Sequence, residues 1–185
     1  MGARSPLVLI VMENHEASSI VGSLDAPYLN GTLIPAGRLF TRYTAVSHPS
    51  LPNYLAMTAG STLGKEGTDS VTAGELSAEN LFHQLTVAGI TWRAFQESMP
   101  TPCYRSYSAG SSPSEYVLKH DPAMTFSDIA DGSACEQVVP LSQLDAGRLP
   151  PFSFISPNEC GDMHSCSVRT GDECPGGSCV FQMTF

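Results

Sequence analysis

The sequence has few basic residues, and this shortage narrows the classes of partner. Nine lysines and arginines stand against 18 aspartates and glutamates in 185 residues, which gives a formal net charge of −9. Nucleic-acid-binding surfaces need many basic side chains to neutralise phosphates. The composition therefore argues against nucleic acid as a partner, and an acidic pocket rim would instead attract cations.

Several sequence patterns are also absent. No apolar run approaches the length of about 20 residues that a transmembrane helix needs, and there is no repeat or heptad pattern. The stretch 60–74 has glycines but lacks the Lys-Ser/Thr pair of a phosphate-binding loop. Residues 1–6 are too few for a signal peptide, so none is expected in this chain.

What is present indicates an α/β protein. The chain is long enough, at 42% hydrophobic residues, for a single domain with a sizeable core. Residues 7–12 form an apolar run without alternation, typical of a strand covered on both faces of a parallel sheet. Further strands are predicted over 39–46, 90–96 and 151–156. Helices are predicted over 27–34 and 78–88, and the helix 78–88 has Ser77 as its N-cap and Gly89 as its stop.

Polar side chains follow the first strand at its carboxyl end. In open α/β sheets, ligands bind outside the carboxyl ends of the strands. The Glu13 carboxylate and Asn14 carbonyl offer oxygen donors suited to a divalent cation, and His15 offers a nitrogen. The alternative from these residues alone is a polar loop that merely ends a strand.

A stiff corner around Ser50 is the second polar cluster. Pro49 and Pro52 restrict the backbone on either side of Ser50, and a helix is expected to follow until Gly60. This arrangement would aim Ser50 and the Asn53 amide at a helix N-terminus, where free backbone N–H groups favour an anion such as phosphate. Ser50 is therefore a candidate nucleophile; from these residues alone, the alternative is a simple helix cap.

Together these stretches resemble the phosphoesterase family of bacterial acid phosphatases and phospholipases C. The order and approximate spacing match over roughly residues 7–172. The matching stretches are VMENH at 11–15, APYLN at 26–30, HPSLPNYL at 48–55, ISPN at 155–158 and DMH at 162–164. The resemblance implies a three-layer αβα sandwich of the alkaline-phosphatase-like superfamily, whose members use a metal-bound serine or threonine to attack phosphorus.

The resemblance also implies roles for individual residues. Ser50 would be the nucleophile, and Glu13, Asn14 and Asp162 would hold a divalent cation of unknown identity. Asn53 would stabilise the phosphoryl oxygens. A histidine, either His48 or His164, would also stabilise these oxygens and would protonate the leaving group. The expected substrate is a small phosphate ester or a phospholipid headgroup.

The segment 101–147 shows little periodicity and is predicted to be an irregular cap over the site of a single domain spanning 1–185. Its Lys119 and His120 resemble a Lys-His-Asn-Pro segment of the family, with Asp121 in place of the asparagine. This similarity makes Lys119 and His120 candidates for holding the substrate phosphate. Glu97, at the end of the strand 90–96, is predicted to support the site, or else to be a surface carboxylate.

An even number of six cysteines in a loop-rich region suggests disulfides and an oxidising compartment. Spacing does not determine the pairing; Cys103 with Cys135 and Cys160 with Cys166 are the preferred pairs. A zinc site ranks lower, because no C-x-x-C pair occurs. With the family resemblance, the cysteines predict a secreted or extracytoplasmic protein.

The C-terminal stretch departs from the family pattern. Members continue with a tryptophan-containing helix and, after another strand, an Asp-Glu pair that completes the metal site, whereas here 171–185 read differently. The preferred expectation is a C-terminally incomplete domain; alternatively, Asp172 and Glu173 replace the lost pair. The predicted activity is metal-dependent phosphoric monoester hydrolysis. The alternatives are a phospholipase C-type phosphodiesterase and a non-catalytic, phosphate-binding remnant.

Overall fold

The computed structural model describes residues 5–173. It contains a four-stranded parallel sheet and a separate two-stranded antiparallel ladder. The strands are β1 (Leu7–Ile10), β2 (Trp92–Gln96), β3 (Ser108–Ala109), β4 (Tyr116–Val117), β5 (Val138–Pro140) and β6 (Phe152–Ser156). The order in the main sheet is β1-β6-β2-β5, and β3 pairs with β4. The predicted α/β class with a parallel sheet is confirmed.

Short helices connect these strands. The α-helices are α1 (Ala17–Ile20), α2 (Ile34–Ala36), α3 (Leu51–Ala59), α4 (Leu81–Val87), α5 (Pro122–Thr125), α6 (Ser127–Ala130) and α7 (Val168–Glu173). A π-helical turn, Leu29–Leu33, leads into α2, so the helix predicted over 27–34 continues past Pro35. Short 3₁₀ turns cover Leu118–His120, Ser133–Gln137, Leu141–Gln143 and Ala146–Arg148.

The sheet separates two apolar clusters because successive side chains of a strand point to opposite faces. Phe154 belongs to the larger cluster, which also contains residues of α3, α4, α5 and α6. Ile155, its neighbour in β6, belongs to a smaller cluster with Phe95 and Val139. The described residues thus place most of the core on one face. The alkaline-phosphatase-like three-layer architecture stays a prediction.

One predicted strand is wrong. The segment 39–46 has the composition of a strand but forms no ladder, and Phe40, Tyr43 and Val46 are 73%, 78% and 65% exposed. A strand needs a neighbouring strand for its backbone N–H and C=O groups, and this segment pairs with no other strand among residues 5–173. A composition rich in β-branched and aromatic residues indicates that a segment would pack well in a sheet. It does not show that a neighbouring strand is present.

Other element boundaries also differ from the predictions. The helix predicted to start after Ser77 starts at Leu81, where the Asn80 side chain accepts a hydrogen bond from the His83 N–H. Gly89 has φ of +67°, which agrees with the predicted stop. The strand predicted over 7–12 ends at Ile10 and is only half-buried, because β1 lies at the edge of the sheet.

The segment 101–147 is more regular than predicted. It supplies β5, which pairs with β2 inside the main sheet. Residues 116–126 are all buried, among them Met124 and Phe126 in the larger apolar cluster. This stretch therefore forms part of the core, and its 3₁₀ turn Leu118–His120 ends beside the candidate site. Its predicted role as a cap over the site stays a prediction.

Both preferred disulfides are present, Cys103 with Cys135 and Cys160 with Cys166. The other two cysteines, Cys174 and Cys179, lie outside the described residues. No helix within residues 5–173 is long and apolar enough to cross a membrane.

Candidate active site

Parallel pairing brings the polar residues of two distant loops together. β1 and β6 run side by side in the same direction, so the residues after each strand emerge at one edge of the sheet. Past the strands, the backbone N–H of Glu13 donates a 2.8 Å hydrogen bond to the carbonyl of Asp162. The predicted convergence of these two acidic loops is therefore present in the structure.

Ser50 reaches the same place from α3. Its side-chain oxygen donates a 2.9 Å hydrogen bond to Oε2 of Glu13, which lies 37 residues earlier. Ser50 directly precedes the first residue of α3, and Gly60 ends the helix with φ of +68°. The predicted helix after the proline corner is thus confirmed, and Ser50 lies against the acidic loop.

His120 lies between the two carboxylates. Its Nδ1 is 3.0 Å from Oδ2 of Asp162, and its Nε2 is 3.6 Å from Oε1 of Glu13. Asp162 is fully buried and His120 is 2% exposed. Neither nitrogen nor Oδ2 of Asp162 is aligned for a hydrogen bond with any described residue. These three atoms are therefore close together, buried and without hydrogen-bond partners.

Lys119 is held by carboxylates. Its Nζ lies 3.2 Å from Oε1 of Glu159 and 3.5 Å from Oδ2 of Asp69. Burial alone would lower the pKa of Lys119, but its hydrogen bond with Glu159 and the charges of Glu159 and Asp69 outweigh burial and raise the pKa. The ammonium is charged and already neutralised. Its predicted role in binding phosphate stays a prediction.

The N-terminus of α3 does not offer the free amides that were predicted. The Leu51 N–H donates to Oδ1 of Asp69 at 2.9 Å, Pro52 has no N–H, and the Asn53 N–H donates to the Ser50 carbonyl. Among these described residues no backbone donor remains for a phosphate. The carboxylate of Asp69 occupies the position that an anion would take.

The side chain of Asn53 binds its own loop. Its oxygen accepts hydrogen bonds from the N–H groups of Val46 and Ser47, and its nitrogen donates to the carbonyls of Ser47, Pro49 and Ser50 at 2.8–3.4 Å. Asn53 therefore fixes the corner that carries Ser50. The structure does not support its predicted contact with phosphate, which stays a prediction.

The remaining predicted residues lie at the rim. Asn14 is exposed with φ of +58°, and His48 is also exposed. Neither side chain makes a hydrogen bond to a described residue. His15 reaches back to the carbonyl of Met163 at 3.0 Å. His164 is half-buried, and its ring centre lies 5.8 Å from that of His120. The proton-donor roles of His48 and His164 stay predictions.

Glu97 supports the loop that carries Asp162. Its Oε2 accepts a 3.0 Å hydrogen bond from the Asn158 N–H, and the Asn158 side chain accepts from Cys160 and Gly161. Burial and, to a smaller extent, Asp162 raise the pKa of Glu97. A Cβ on Gly161 would lie 2.6 Å from Oε2 of Glu97, so only glycine permits this approach.

Asp172 and Glu173 both have partners of their own. Asp172 is fully buried, and its two carboxylate oxygens accept hydrogen bonds from the N–H groups of Tyr28 and Leu29 at 2.7 and 2.9 Å. Glu173 pairs with Arg169 on the surface. These contacts do not support the alternative that assigned the two residues to the metal site, and that alternative stays a prediction.

The structure also shows site residues that the sequence analysis missed. Tyr54 stacks on His120, and Asp69 and Glu159 hold Lys119. One feature of the sequence points to Tyr54: it stands four residues after Ser50, on the same predicted helix. No feature of the sequence points to Asp69 or Glu159, because the residues around them do not indicate a contact with a distant lysine.

A zinc or other metal site made by cysteines is not supported. Among residues 5–173, the one group of three potential ligands with all donor atoms within 4.8 Å of one another is Cys103, Cys135 and Glu136. The two cysteines form a disulfide, so their sulfurs are not thiolate ligands.

These features define an α/β protein with a hydroxyl, two carboxylates and an imidazole gathered at the carboxyl edge of a parallel sheet. The model of the Phosphoesterase family matches residues 25–175. The chain belongs to the Phosphoesterase family, as its motifs predicted.

Curated relatives agree with this assignment. A phosphatidylinositol-3-phosphatase of Mycobacterium tuberculosis is 37% identical over 168 residues, which cover 90% of this chain and 54% of the relative. A phosphate-repressible acid phosphatase of Penicillium chrysogenum is 31% identical over 144 residues, which cover 74% of this chain and 34% of the relative. An acid phosphatase of Aspergillus fumigatus is 27% identical over 147 residues, 75% of this chain and 33% of the relative. The chain spans about half or less of the length of these relatives.

Proposed function

We propose that this protein hydrolyses phosphate monoesters with Ser50 as the nucleophile. The observation that carries the proposal is the hydrogen bond from the Ser50 hydroxyl to Glu13, which joins two loops that lie 37 residues apart in sequence. A carboxylate acceptor fixes the serine rotamer and increases electron density on its oxygen. The names of the relatives, a phosphatidylinositol-3-phosphatase and acid phosphatases, favour a monoester over a diester.

The proposed reaction has two displacement steps. The Ser50 oxygen forms a bond to phosphorus while the bond from phosphorus to the leaving oxygen breaks, and the serine proton passes to Glu13. The half-buried His164 donates a proton to the leaving oxygen. Water then attacks the phosphoserine, His164 takes its proton, and Ser50 regains the proton from Glu13. Asn53 keeps the Ser50 corner in place through its bonds to the loop.

The charge around Ser50 supports a requirement for a cation. Glu13, Asp162, Asp69 and Glu159 surround the site, and Lys119 is the one lysine or arginine with an ion pair to any of them in the described chain. This surplus of negative charge would repel a phosphate. Oδ2 of Asp162 is buried without a hydrogen bond, which also fits a missing positive partner.

The residues present therefore fit a divalent cation. Glu13, Asn14 and Asp162 would hold it, since hard oxygen donors suit such ions. When bound, it would neutralise phosphoryl oxygens and lower the pKa of the Ser50 hydroxyl. The His120 imidazole lies 3.0 Å from Asp162 and 3.6 Å from Glu13, and it would remain the neighbour of both carboxylates.

The substrate and location follow as parts of the same proposal. The named relatives act on a lipid headgroup phosphate or on acid-phosphatase substrates, so a small or headgroup phosphomonoester is the proposed substrate class. Two disulfides indicate that the protein folds in an oxidising, extracytoplasmic compartment.

Turnover of p-nitrophenyl phosphate by the full chain, with added Mg²⁺, Mn²⁺, Ca²⁺ or Zn²⁺, tests the proposal. Ser50→Ala should abolish turnover, and Ser47→Ala, whose hydroxyl bonds only its own loop, should keep the parental rate. Chelation should remove activity and one of the ions should restore it. An active Ser50→Ala variant would refute the nucleophile, and a preference for bis(p-nitrophenyl) phosphate would favour the phosphodiesterase.

A further inference from the structure

We propose that Tyr54 is a positioning residue whose ring holds the imidazole of His120 between the carboxylates of Glu13 and Asp162. The inference rests on the proposed function, because it treats those groups as the active site. It adds a residue that has no part in the proposed reaction steps.

Helix α3 presents Ser50 and Tyr54 to the same region. Residues four apart on a helix lie on one face, about one turn from each other. Ser50 bonds to Oε2 of Glu13, and Tyr54 stacks on the histidine that faces Oε1 of the same carboxylate. One short helix therefore sets the position of both the serine and the imidazole.

The ring contact is close to parallel. The ring centres of Tyr54 and His120 are 5.1 Å apart, with an angle of 19° between their planes. The two residues are 1% and 2% exposed. An imidazole covered by a fixed parallel ring cannot rotate out of its plane without losing that contact. The stack therefore fixes the plane in which the two His120 nitrogens lie.

The imidazole has one further ring contact, with His164, whose ring lies edge-on at 5.8 Å. The backbone of His120 is anchored, because the Ser156 hydroxyl donates a 2.6 Å hydrogen bond to its carbonyl. Its ring nitrogens have no aligned hydrogen bond to any residue within 5–173, although they lie 3.0 and 3.6 Å from the carboxylates. Packing, rather than hydrogen bonding, thus orients the ring.

The Tyr54 hydroxyl is buried beside the side chains of Glu13 and Ser156, without an aligned hydrogen bond to either. Burial, the charges of Glu13 and Asp162 and the approach of the Glu13 carboxylate raise the pKa of Tyr54 well above its usual value, so the phenol stays neutral. The ring, and not the hydroxyl, makes the contact with His120, so removing the hydroxyl alone should leave the stack intact.

Three variants separate positioning from simple core packing. Tyr54→Phe keeps the ring, and Tyr54→Leu removes it. Phe82→Leu removes an equally buried ring of the same apolar cluster, which packs against Trp92 and Phe154. Tyr54→Leu should lower kcat on p-nitrophenyl phosphate roughly 10- to 100-fold, as small misplacements in active sites do, with KM nearly unchanged. Tyr54→Phe and Phe82→Leu should stay within about threefold of the parent.

A double-mutant cycle tests whether Tyr54 acts through His120. In a His120→Gln background, Tyr54→Leu should change kcat less than about twofold, because the group it positions is gone. Additive losses would overturn the inference. Equal losses in Tyr54→Phe and Tyr54→Leu would overturn it too, since the ring would then not be the active feature.

A readout that does not need turnover completes the test. Crystal structures of Tyr54→Leu and Tyr54→Phe should show the His120 imidazole displaced in the first and unchanged in the second. An unchanged imidazole in both would refute the positioning role even with an active enzyme. By contrast, a fully active Ser50→Ala variant would refute the proposed function and leave the displacement experiment to decide the role of Tyr54.

Discussion

The Ser50 hydroxyl and the Glu13 carboxylate, 37 residues apart in sequence, are joined by a 2.9 Å hydrogen bond. Glu13 follows an edge strand of the sheet, and Ser50 opens a helix on the face where most of the core lies. The bond therefore joins two layers of the fold at the carboxyl edge. A change that separates Ser50 from Glu13 should therefore lower the activity before it lowers the stability of the fold.

The charge of Glu13 is expected to be essential. Glu13→Gln keeps the size of the side chain but removes the negative charge, so we expect kcat to fall roughly 100-fold or more, with a small change in thermal stability. Steady-state kinetics and thermal melts measure both. Glu16→Gln, on the exposed stretch that follows, serves as the control. Parental activity in Glu13→Gln would contradict the role of the carboxylate.

The two disulfides should differ in their effects. The Cys160–Cys166 bridge closes a loop that contains Asp162 and His164, and its sequence separation is 6, against 32 for Cys103–Cys135. The chain-entropy model gives losses of unfolding free energy of about 2 and about 4 kcal/mol on removal of the two bridges. Replacing Cys160 and Cys166 by serine should therefore cost more activity but less stability.

Urea unfolding and turnover of p-nitrophenyl phosphate measure these two effects separately. The Cys103→Ser, Cys135→Ser double variant is the matched control, since neither residue contacts the site. If both double variants lost activity only in proportion to stability, the short loop would have no special part in holding Asp162.

Asp172 is expected to stabilise the fold rather than bind an ion. Asp172→Ala would leave the part-buried N–H groups of Tyr28 and Leu29 without acceptors, at a cost of about 1–3 kcal/mol. Glu173→Ala, next to it on the surface, should cost less than about 0.5 kcal/mol. Denaturant unfolding measures both. Lower metal affinity with unchanged stability in Asp172→Ala would point back to a ligand role.

Asp121 should make stability depend on pH. The side chain is fully buried, and burial raises its pKa to about 7 from 3.8, although hydrogen bonds from Tyr116 and Met124 oppose the shift. The folded chain therefore holds this proton more tightly than the unfolded chain. The resulting stability is complete below about pH 3.8 and is lost as the pH rises through 7.

The substitution Asp121→Asn removes this dependence. It should raise Tm at pH 8 and change it little at pH 4, because the amide never becomes charged. Thermal melts at the two pH values measure the difference, with Glu136→Gln on the surface as the control. Equal shifts of Tm at both pH values would show that the buried carboxyl is not the titrating group.

The sequence was sufficient to predict the meeting of the acidic loops. Apolar runs identified β1 and β6, and polar residues after parallel strands must share one edge, so Glu13 and Asp162 were placed together. Pro52 and Gly60 marked the ends of α3. These signals are local in the sequence. The two acidic loops meet in space because the carboxyl ends of parallel strands lie at one edge of the sheet.

Features that depend on a distant partner were not predictable. The composition of 39–46 indicates a strand, but whether a neighbouring strand exists is a tertiary fact. The three residues of β5 are too short for a period to show. Asp69 caps α3 and pairs with Lys119 across 50 residues, and no pattern in the sequence reports such a contact.

A search for phosphate on Ser50 tests the proposed nucleophile most directly. The full chain would be mixed with p-nitrophenyl phosphate and the ion that supports turnover, quenched in acid, digested and analysed by mass spectrometry. We expect one phosphoryl group on the peptide that contains Ser50, and none in the Ser50→Ala variant. Turnover without any phosphorylated Ser50, at a rate that Ser50→Ala also reaches, would contradict it.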